Sequence, residues 1–376
     1  MDLSYIAPPV DRELIKKELK QKHFLRKTNR GNKEIYITTA HLSPNIMREI
    51  GRLRELSFAT EGGGTGKEID VDEYDFMDDP HCCKQLFVWS PEDEEIVGAY
   101  RFIHGTNMMR REDGSIVTPT AEQYQFGERF INDYLPYTIE LGRAFVQPAY
   151  QPSNDLHKGL YSLDNLWDGL GVLALEVPET RYFFGKITMY GDIDPEARDL
   201  ILYFYQKHFP DRDGLVWPYE ELPIKSDYNK LVHLFNGRNY KEDYQILLHS
   251  VREHGCTVPP LINAYMNLSP SMRSFGTCPN HHLAGTTDTG ILINLGDLYA
   301  DKRARYMESY SEKNVKFDRR RLFKINMKLL PWWKANNEDE TAILNELKEM
   351  KGLSEARAAM REMRRERRRQ RKGARK

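Results

Sequence analysis

Residues 137–150, YTIELGRAFVQPAY, place one carboxylate, Glu140, and one guanidinium, Arg143, in an otherwise apolar run. The alternation of β-branched and aromatic residues predicts a strand that ends at Pro148. Residues three positions apart in a strand face opposite sides, unless Gly142 marks a β-bulge. A buried carboxylate costs several kcal/mol unless it is paired or its pKa shifts. The two charges therefore indicate either a structural ion pair or a site with a catalytic base.

A predicted antiparallel hairpin lies upstream of this segment. Its strands are residues 84–89 and residues 96–103, joined by the polar turn SPEDEE. The second strand contains Arg101, and an acidic loop before the hairpin contains Asp72 and Asp75. Charged residues in and beside apolar strands favour a functional site here.

Helix and strand patterns alternate downstream. Apolar residues recur at helical spacing in residues 163–174, and residues 182–190, YFFGKITMY, predict another strand. Asp194 as N-cap and Pro195 at the first helical position predict the start of a further helix. This order of elements predicts an α/β fold, in which helices cover a mixed sheet.

Five separated segments carry a family resemblance, in the order RELSFATEGGGTGKEIDVDEYD, IVGAYRF, IELGRAFVQPAYQ, LDNLWDGLG and YFFGKITMY. They are similar to the GNAT-fold N-acyltransferases of amino-acid-lipid synthesis, often labelled hemolysin-like. That group includes ornithine and glycine N-acyltransferases, which take a 3-hydroxyacyl chain from acyl carrier protein. The later segments PPLINAYMNLSPSMRSFGT and DTGILINL also match, so the resemblance spans about residues 45–300. It implies a GNAT-like, mostly antiparallel central sheet flanked by helices.

The chain is also similar to the acyl-homoserine-lactone synthases. Paired aspartates, an arginine after a glycine and a Glu-x-x-Arg strand recur in that family. The matching positions here are Asp72 and Asp75, Arg101, and Glu140 with Arg143. The resemblance implies that Glu140 and Arg143 are catalytic, and that Arg101, Asp72 and Asp75 bind the substrate.

Acyl transfer to an amino acid explains why such residues would be needed. The amino group is an ammonium ion at pH 7, and a carboxylate such as Glu140 can accept its proton directly or through water. The substrate carboxylate suits the planar, bidentate guanidinium of Arg101 or Arg143, while the other arginine braces the acidic loop. In the GNAT fold the strand corresponding to residues 137–146 splays from that of residues 182–190. Backbone N–H groups freed by this splay stabilise the developing oxyanion.

The loop after the Glu140 strand departs from the general GNAT pattern. Coenzyme A-dependent members carry Arg/Gln-x-x-Gly-x-Gly/Ala, whose backbone N–H groups hold the pyrophosphate. This chain has QPSNDL at residues 151–156, with neither glycine, although Lys158 and Gly159 could rebuild part of the anion site. We predict that these two residues, with Phe145 and Val146, contact the donor. The loop favours acyl carrier protein over coenzyme A as the acyl donor. We predict no bound cofactor.

Other motif-like stretches are weaker. GGGTGKE, at residues 62–68, resembles a phosphate-binding loop, but Glu61 replaces its first glycine and Glu68 its Ser/Thr. The ligand-type residues His254, Cys256, Cys278, His281 and His282 do not have zinc spacing, so we predict structural roles and no metal. The Gly-x-Ser-x-Gly signature of α/β-hydrolases is absent from the sequence.

Composition and charge limit the class of protein. The 376 residues are 40% hydrophobic, with four cysteines and no apolar run long enough to span a membrane, which predicts a cytoplasmic protein. Residues 351–376 contain 12 Lys/Arg and 3 Glu, a net charge of +9, at the end of an amphipathic helical pattern.

We predict an N-terminal extension (residues 1–40), a GNAT-like domain (residues 41–335, with a second α/β half from about residue 215) and a basic amphipathic helix and tail (residues 336–376).

In the simplest interpretation, the basic tail is a solvated and partly frayed helix without a binding role. It could also attract an anionic membrane surface, dock the acidic carrier protein or bind nucleic acid. For a lipid-synthesis enzyme the membrane surface is the first choice, and nucleic acid the last.

The sequence as a whole predicts an N-acyltransferase that transfers a 3-hydroxyacyl chain from acyl carrier protein to an amino acid. SLDNLWDGLG and KITMY resemble the glycine branch more than the ornithine branch. The alternatives are an ornithine N-acyltransferase, an acyl-homoserine-lactone-type synthase, and a non-catalytic membrane or nucleic-acid adaptor.

Overall fold

Eight strands form the central sheet in the computed structural model, which describes residues 2–177, 179–283 and 285–310. These residues belong to the first of two units, Met1–Asn314 and Val315–Lys376. The strands are β1 (Phe24–Lys27), β2 (Glu34–Thr38), β3 (Lys84–Ser90), β4 (Glu95–His104), β5 (Met109–Arg110), β6 (Ile116–Val117), β7 (Tyr124–Phe126), β8 (Thr138–Val146), β9 (Tyr182–Met189), β10 (Val216–Pro218), β11 (Arg273–Asn280) and β12 (Thr286–Asn294). The α-helices are α1 (Arg12–Glu18), α2 (Pro44–Thr60), α3 (Leu156–Gly159), α4 (Ser162–Glu176), α5 (Pro195–His208), α6 (Tyr228–Leu234), α7 (Tyr240–Glu253), α8 (Pro260–Met266) and α9 (Ala300–Arg303).

The order of strands in the central sheet is β1-β2-β3-β4-β8-β9-β12-β11. Neighbouring strands run antiparallel, except that β8 and β9 run parallel. The strands β7 and β10 form one small additional sheet, and β5 and β6 form another. The prediction of a mixed, mostly antiparallel sheet flanked by helices is confirmed.

Local sequence signals place the predicted elements correctly. The hairpin is β3 and β4, the Glu140 strand is β8, and the helix and strand predicted after it are α4 and β9. At α5 the Asp194 side chain accepts hydrogen bonds from the backbone N–H groups of Glu196 and Ala197, with Pro195 in the first turn. This is the predicted N-cap, which satisfies backbone donors that the helix itself leaves free.

The N-terminal residues are part of the sheet. The segment predicted as an extension, residues 1–40, contributes β1 and β2, and β2 pairs along its length with β3. The boundary predicted at residue 40 therefore does not coincide with an edge of the sheet. The half predicted from about residue 215 likewise contributes β11 and β12 to the same sheet.

Apolar side chains fill both faces of the sheet. Helix α4 packs on β3 and β4, and its Leu166, Trp167 and Leu170 are buried in the cluster on that face. Helix α2 packs on the opposite face, where its apolar residues join Ala99 of β4 and Phe145 of β8. The adjoining strands β4 and β8 are thus fixed from both sides.

Within the described residues, no helix combines the length and apolar character needed to cross a membrane. The basic segment 351–376 and its predicted amphipathic helix lie outside the described residues.

Candidate active site

A β-bulge brings the predicted catalytic residues to one face of the sheet. Arg101 of β4 pairs with Gly142 of β8, and beyond this pair residues 143–144 oppose only Tyr100 of β4. The sequence offered Gly142 as the place for a bulge; the bulge lies one residue later, at Arg143, whose backbone φ of 48° is left-handed. The extra residue resets the alternation of side chains. Arg143 therefore lies on the same face as Glu140 and Arg101.

Arg101 is held by the two aspartates of the acidic loop. Its Nη1 lies 2.5 Å from Asp72 Oδ1 and 3.4 Å from Asp75 Oδ2. Burial opposes its charge, but the Asp75 and Asp72 carboxylates outweigh burial and raise the pKa of Arg101 well above the ordinary arginine value. Arg54 of α2, fully buried, adds a second cation 3.0 Å from Asp75 Oδ2. Because breaking a buried ion pair is costly, this network fixes the position of Arg101.

Arg143 pairs with the same loop rather than with Glu140. Its Nε lies 2.9 Å from Asp70 Oδ2, and its Nη2 lies 3.7 Å from Asp72 Oδ2. No ion pair joins Glu140 to Arg143 in the described part of the chain. The structural ion pair considered from the sequence is therefore not formed between these two residues.

Hydroxyl groups bind both oxygens of Glu140. Thr120 Oγ1 donates to Oε1 at 2.7 Å, and Thr118 Oγ1 donates to Oε2. Burial raises the pKa of Glu140 above its ordinary value, and the two threonine hydroxyls offset part of this effect. A raised pKa lies closer to neutral pH, and a general base is most effective when its pKa is near the pH at which it works. Thus Glu140 is oriented and its basicity is increased.

Polar residues of β9 and β12 lie on the same face as Glu140. Lys186 Nζ lies 3.4 Å from Asp288 Oδ2 and donates to Gln123 Oε1. Asp288 also accepts hydrogen bonds from Thr188 Oγ1 at 2.7 Å and Asn280 Nδ2 at 2.8 Å. From the sequence, only the backbone of β9 was expected at the site, and the polar side chains of β9 and β12 were not predicted.

The strands β8 and β9 separate next to these residues. They pair only from Thr138 with Tyr182 to Leu141 with Gly185, although β8 continues to Val146 and β9 to Met189. Backbone groups along the two diverging edges therefore lack each other as partners. This confirms the splay expected from the family resemblance, and donors on such an edge could stabilise an oxyanion.

A cavity of about 910 Å³ occupies the splay. Its polar lining includes Arg101, Glu140, Arg143, Lys186, Asn280 and Asp288. Its apolar lining includes Leu163, Leu166, Ile193, Leu261, Tyr265 and Ile293, which belong to or pack against the core on the α4 face. The cavity therefore joins the two faces of the sheet, with charges on one face and a hydrophobic surface on the other.

The predicted site residues divide into two groups. Arg101, Glu140, Arg143, Phe145, Val146 and Gly159 line the cavity. Among the described residues that line it, Asp72, Asp75 and Lys158 do not occur. The two aspartates contact arginines, and Lys158 Nζ lies 2.9 Å from Asp93 Oδ1. The charged groups of these three residues thus face partners within the protein.

The loop after β8 places a carboxylate at the start of α3. Asp155 caps α3 by accepting hydrogen bonds from the backbone N–H groups of His157 and Lys158 at 2.9 and 3.0 Å. These are the N–H groups that would otherwise face an anion at the start of a helix. The Asp155 carboxylate therefore occupies two of the backbone donors at the start of this helix.

The other motif-like stretches have structural partners. The backbone N–H groups of Thr65 and Gly66 in the GGGTGKE loop donate to the Glu55 carboxylate. His254 lies near Asp194, His281 near Glu220 and His282 near Glu122. No group of three or more His, Cys, Asp or Glu within the described ranges is arranged to hold a metal ion.

Sequence reasoning missed several polar residues of the site. Thr118 and Thr120 lie at the start of a short 3₁₀ helix, Pro119–Glu122, with no distinctive sequence pattern, and Arg54 lies in an amphipathic helix, where arginine is common. Lys186 had a detectable signal, because it is the charged residue within the apolar strand YFFGKITMY.

The geometry suits the transfer of an acyl group to an amine. The splay provides an opening between two strand edges that do not pair with each other, Glu140 can accept a proton, and the apolar part of the cavity can take a hydrocarbon chain. A covalent enzyme intermediate is not required, since an amine can attack a thioester directly.

Comparisons with known proteins agree with this chemistry. Residues 53–158 match the family model described as an acetyltransferase (GNAT) domain. The glycine N(alpha)-acyltransferase of Phocaeicola vulgatus is 49% identical over 309 residues, which are 82% of this chain and 94% of that protein. The protein of the same name from Bacteroides thetaiotaomicron is 48% identical, over 82% of this chain and 91% of its own length.

A crystal structure of TofI in a ternary complex with an inhibitor and MTA matches at a TM-score of 0.34 and 12% identity, over 72% of this chain and 95% of that chain. At that TM-score the likeness carries no weight. The family match and the two relatives, which this chain covers almost completely, are decisive. The chain belongs to the GNAT-fold amino-acid N-acyltransferases.

Proposed function

We propose that this protein transfers an acyl chain, 3-hydroxylated as the family resemblance implies, from acyl carrier protein to the amine of glycine in amino-acid lipid synthesis. The two relatives, each nearly half identical to this chain, are both named glycine N(alpha)-acyltransferase, which supports glycine as the acceptor. The observation that carries the proposal is the buried, hydroxyl-bound Glu140 beside the opening between β8 and β9.

The reaction uses this arrangement in one displacement. The amine of the acceptor loses a proton to Glu140, directly or through water, and its lone pair attacks the thioester carbonyl. The new C–N bond forms as the C=O π electrons move onto oxygen, and the C–S bond breaks when the carbonyl re-forms. The electron pair of the C–S bond leaves on sulfur, and the thiolate takes up the second proton, which the attacking nitrogen releases. Main-chain N–H groups at the diverging strand edges stabilise the negative charge on the carbonyl oxygen.

The capped loop supports acyl carrier protein as the donor. A carrier-bound phosphopantetheine arm has no adenosine pyrophosphate, so it does not need the backbone donors that Asp155 already occupies. The apolar lining of the cavity, which includes Leu163, Leu166 and Ile293, suits the hydrocarbon part of a long chain. An ornithine acceptor and a homoserine-lactone-type product remain the competing outcomes.

Mass spectrometry of lipids from cells that express this chain, against an empty vector, tests the proposal. An N-acylglycine is the expected new product. An N-acylornithine would show that ornithine, and not glycine, is the acceptor. An acyl-homoserine lactone would show that the protein is a homoserine-lactone-type synthase and not an enzyme of amino-acid lipid synthesis. The absence of any new acylated amine would refute the proposed function.

Glu140→Gln tests the assigned base. The side chain keeps its shape and can still accept hydrogen bonds from Thr118 and Thr120, but it cannot take a proton. We expect amide formation to fall by about 100-fold or more, as is usual for loss of a positioned base. Glu128 is exposed, so Glu128→Gln is the matched control. We expect this variant to keep near-normal turnover. Near-normal turnover in folded Glu140→Gln protein would return Glu140 to a structural role.

A further inference from the structure

Lys186 occupies a distinctive position in the cavity. It follows Gly185, the last residue of β9 that pairs with β8, so it stands where the two strands begin to diverge. Glu140 lies opposite Phe184, and alternation along β9 places Lys186 on the same face as Phe184. Glu140 and Lys186 thus lie on the two sides of the splay and face the same space.

The contacts of Lys186 fix its ammonium group without enclosing it. Its Nζ donates to Gln123 and lies 3.4 Å from Asp288, and 19% of its side chain remains exposed. An ammonium group has three N–H donors, and the contacts within the described residues account for two of them. One donor is therefore free to meet a ligand in the cavity.

The arginines considered from the sequence pair with aspartates of the loop that precedes β3. Arg101 is held between Asp72 and Asp75 on the protein side, and Arg143 is 2.9 Å from Asp70. An amino-acid acceptor carries an ammonium and a carboxylate a few bonds apart, so it needs an anion and a cation close together. Glu140 and Lys186 provide such a pair on opposite sides of one opening.

We propose that Lys186 binds the carboxylate of the amino-acid acceptor and so orients its amine toward Glu140. This inference rests on the proposed function, since it concerns how the same acceptor is held. In the competing structural role Lys186 would only neutralise Asp288. That role does not require Lys186 to line the cavity or to keep a free N–H donor.

The test compares two acceptors on the same enzyme sample. Glycine and glycinamide both present an amine, but only glycine has a carboxylate, so the ratio of their kcat/KM values reports carboxylate binding. In Lys186→Met we expect this ratio to fall by about 10- to 100-fold, the usual effect of losing a hydrogen bond between charged groups. The KM for the acyl donor should not change, and Lys186→Arg should retain most of the discrimination.

The ratio does not depend on the fraction of folded enzyme, because both acceptors meet the same preparation. If Lys186→Met alone is too unstable, the double variant Lys186→Met/Asp288→Asn removes both charges and leaves no unpaired carboxylate at residue 288. An unchanged ratio in these variants would overturn the inference, and a collapse of the ratio in Arg143→Met instead would assign the carboxylate to Arg143. Failure of the wild-type protein to acylate glycine at all would refute the proposed function before the variants are compared.

Discussion

Thr120→Val should shift the pH dependence of catalysis to higher pH. Thr120 Oγ1 donates to Glu140 Oε1 at 2.7 Å, and a hydrogen bond of this kind favours the ionised carboxylate. Valine keeps the shape of threonine but cannot donate. Because burial already raises the pKa of Glu140 and the hydroxyls lower it in part, removing one hydroxyl raises the pKa further.

The size of the shift follows from the strength of the lost bond. A hydrogen bond to a charged group contributes about 1.5–3 kcal/mol, and one pKa unit corresponds to about 1.4 kcal/mol. The expected rise is therefore about 1–2 pKa units. Since the base acts only when ionised, activity is lost as pH falls through this pKa. The acid limb of the profile should move upward by the same amount.

The assay is kcat/KM for the amino-acid acceptor against pH, with acyl carrier protein-bound donor at a fixed concentration. Thr138→Val is the matched control, because Thr138 is also buried and its hydroxyl donates to the Tyr134 carbonyl at 2.7 Å instead of to Glu140. It should leave the acid limb in place. An unshifted limb in folded Thr120→Val protein would refute the argument that the hydroxyl tunes the base.

Three further outcomes are expected. In Gly159→Ala the added Cβ would lie 2.4 Å from Pro152 N, so calorimetry should show a loss of stability of about 1–3 kcal/mol, while Gly142→Ala, whose Cβ meets nothing within 4 Å, should not. Steady-state kinetics should give a much higher kcat/KM for 3-hydroxyacyl carrier protein than for the matching acyl-coenzyme A; equal values would contradict our interpretation of the capped loop. Deletion of residues 351–376 should reduce sedimentation with anionic vesicles, and added salt should reproduce this in the intact chain, while turnover of a soluble donor survives. Loss of turnover without lipid and unchanged vesicle binding would instead assign that segment to carrier docking or folding, and salt-sensitive binding to duplex nucleic acid alone would favour an adaptor.

The elements were predictable where the signal is local. The hairpin of β3 and β4, the strands β8 and β9, and the helices α4 and α5 each follow from a repeat of apolar residues or from a cap. The strands β1 and β2 were not recognised, since FLRK and EIYIT are short and contain charges. Their place in the sheet depends on pairing with β3, which no local pattern reveals.

The same division applies to the site. Glu140, Arg101 and Arg143 could be found because a charge within an apolar strand is conspicuous in any sequence. Thr118 and Thr120 could not, because their role depends on a loop that folds back over β8. The exact position of the bulge also lay beyond prediction, since glycine at 142 was the expected residue and arginine at 143 adopts the left-handed backbone instead.

The divergence of β8 and β9 has a consequence for how such enzymes can change over evolutionary time. The groups exposed along its edges belong to the main chain, so a change of side chain cannot delete them. Residues that line the cavity, such as Leu163 and Tyr265, can then vary to suit a different hydrocarbon chain while the catalytic scaffold persists. The opening thus separates what must be kept from what is free to diversify, and new acyl specificities should be reachable by single substitutions in its apolar walls.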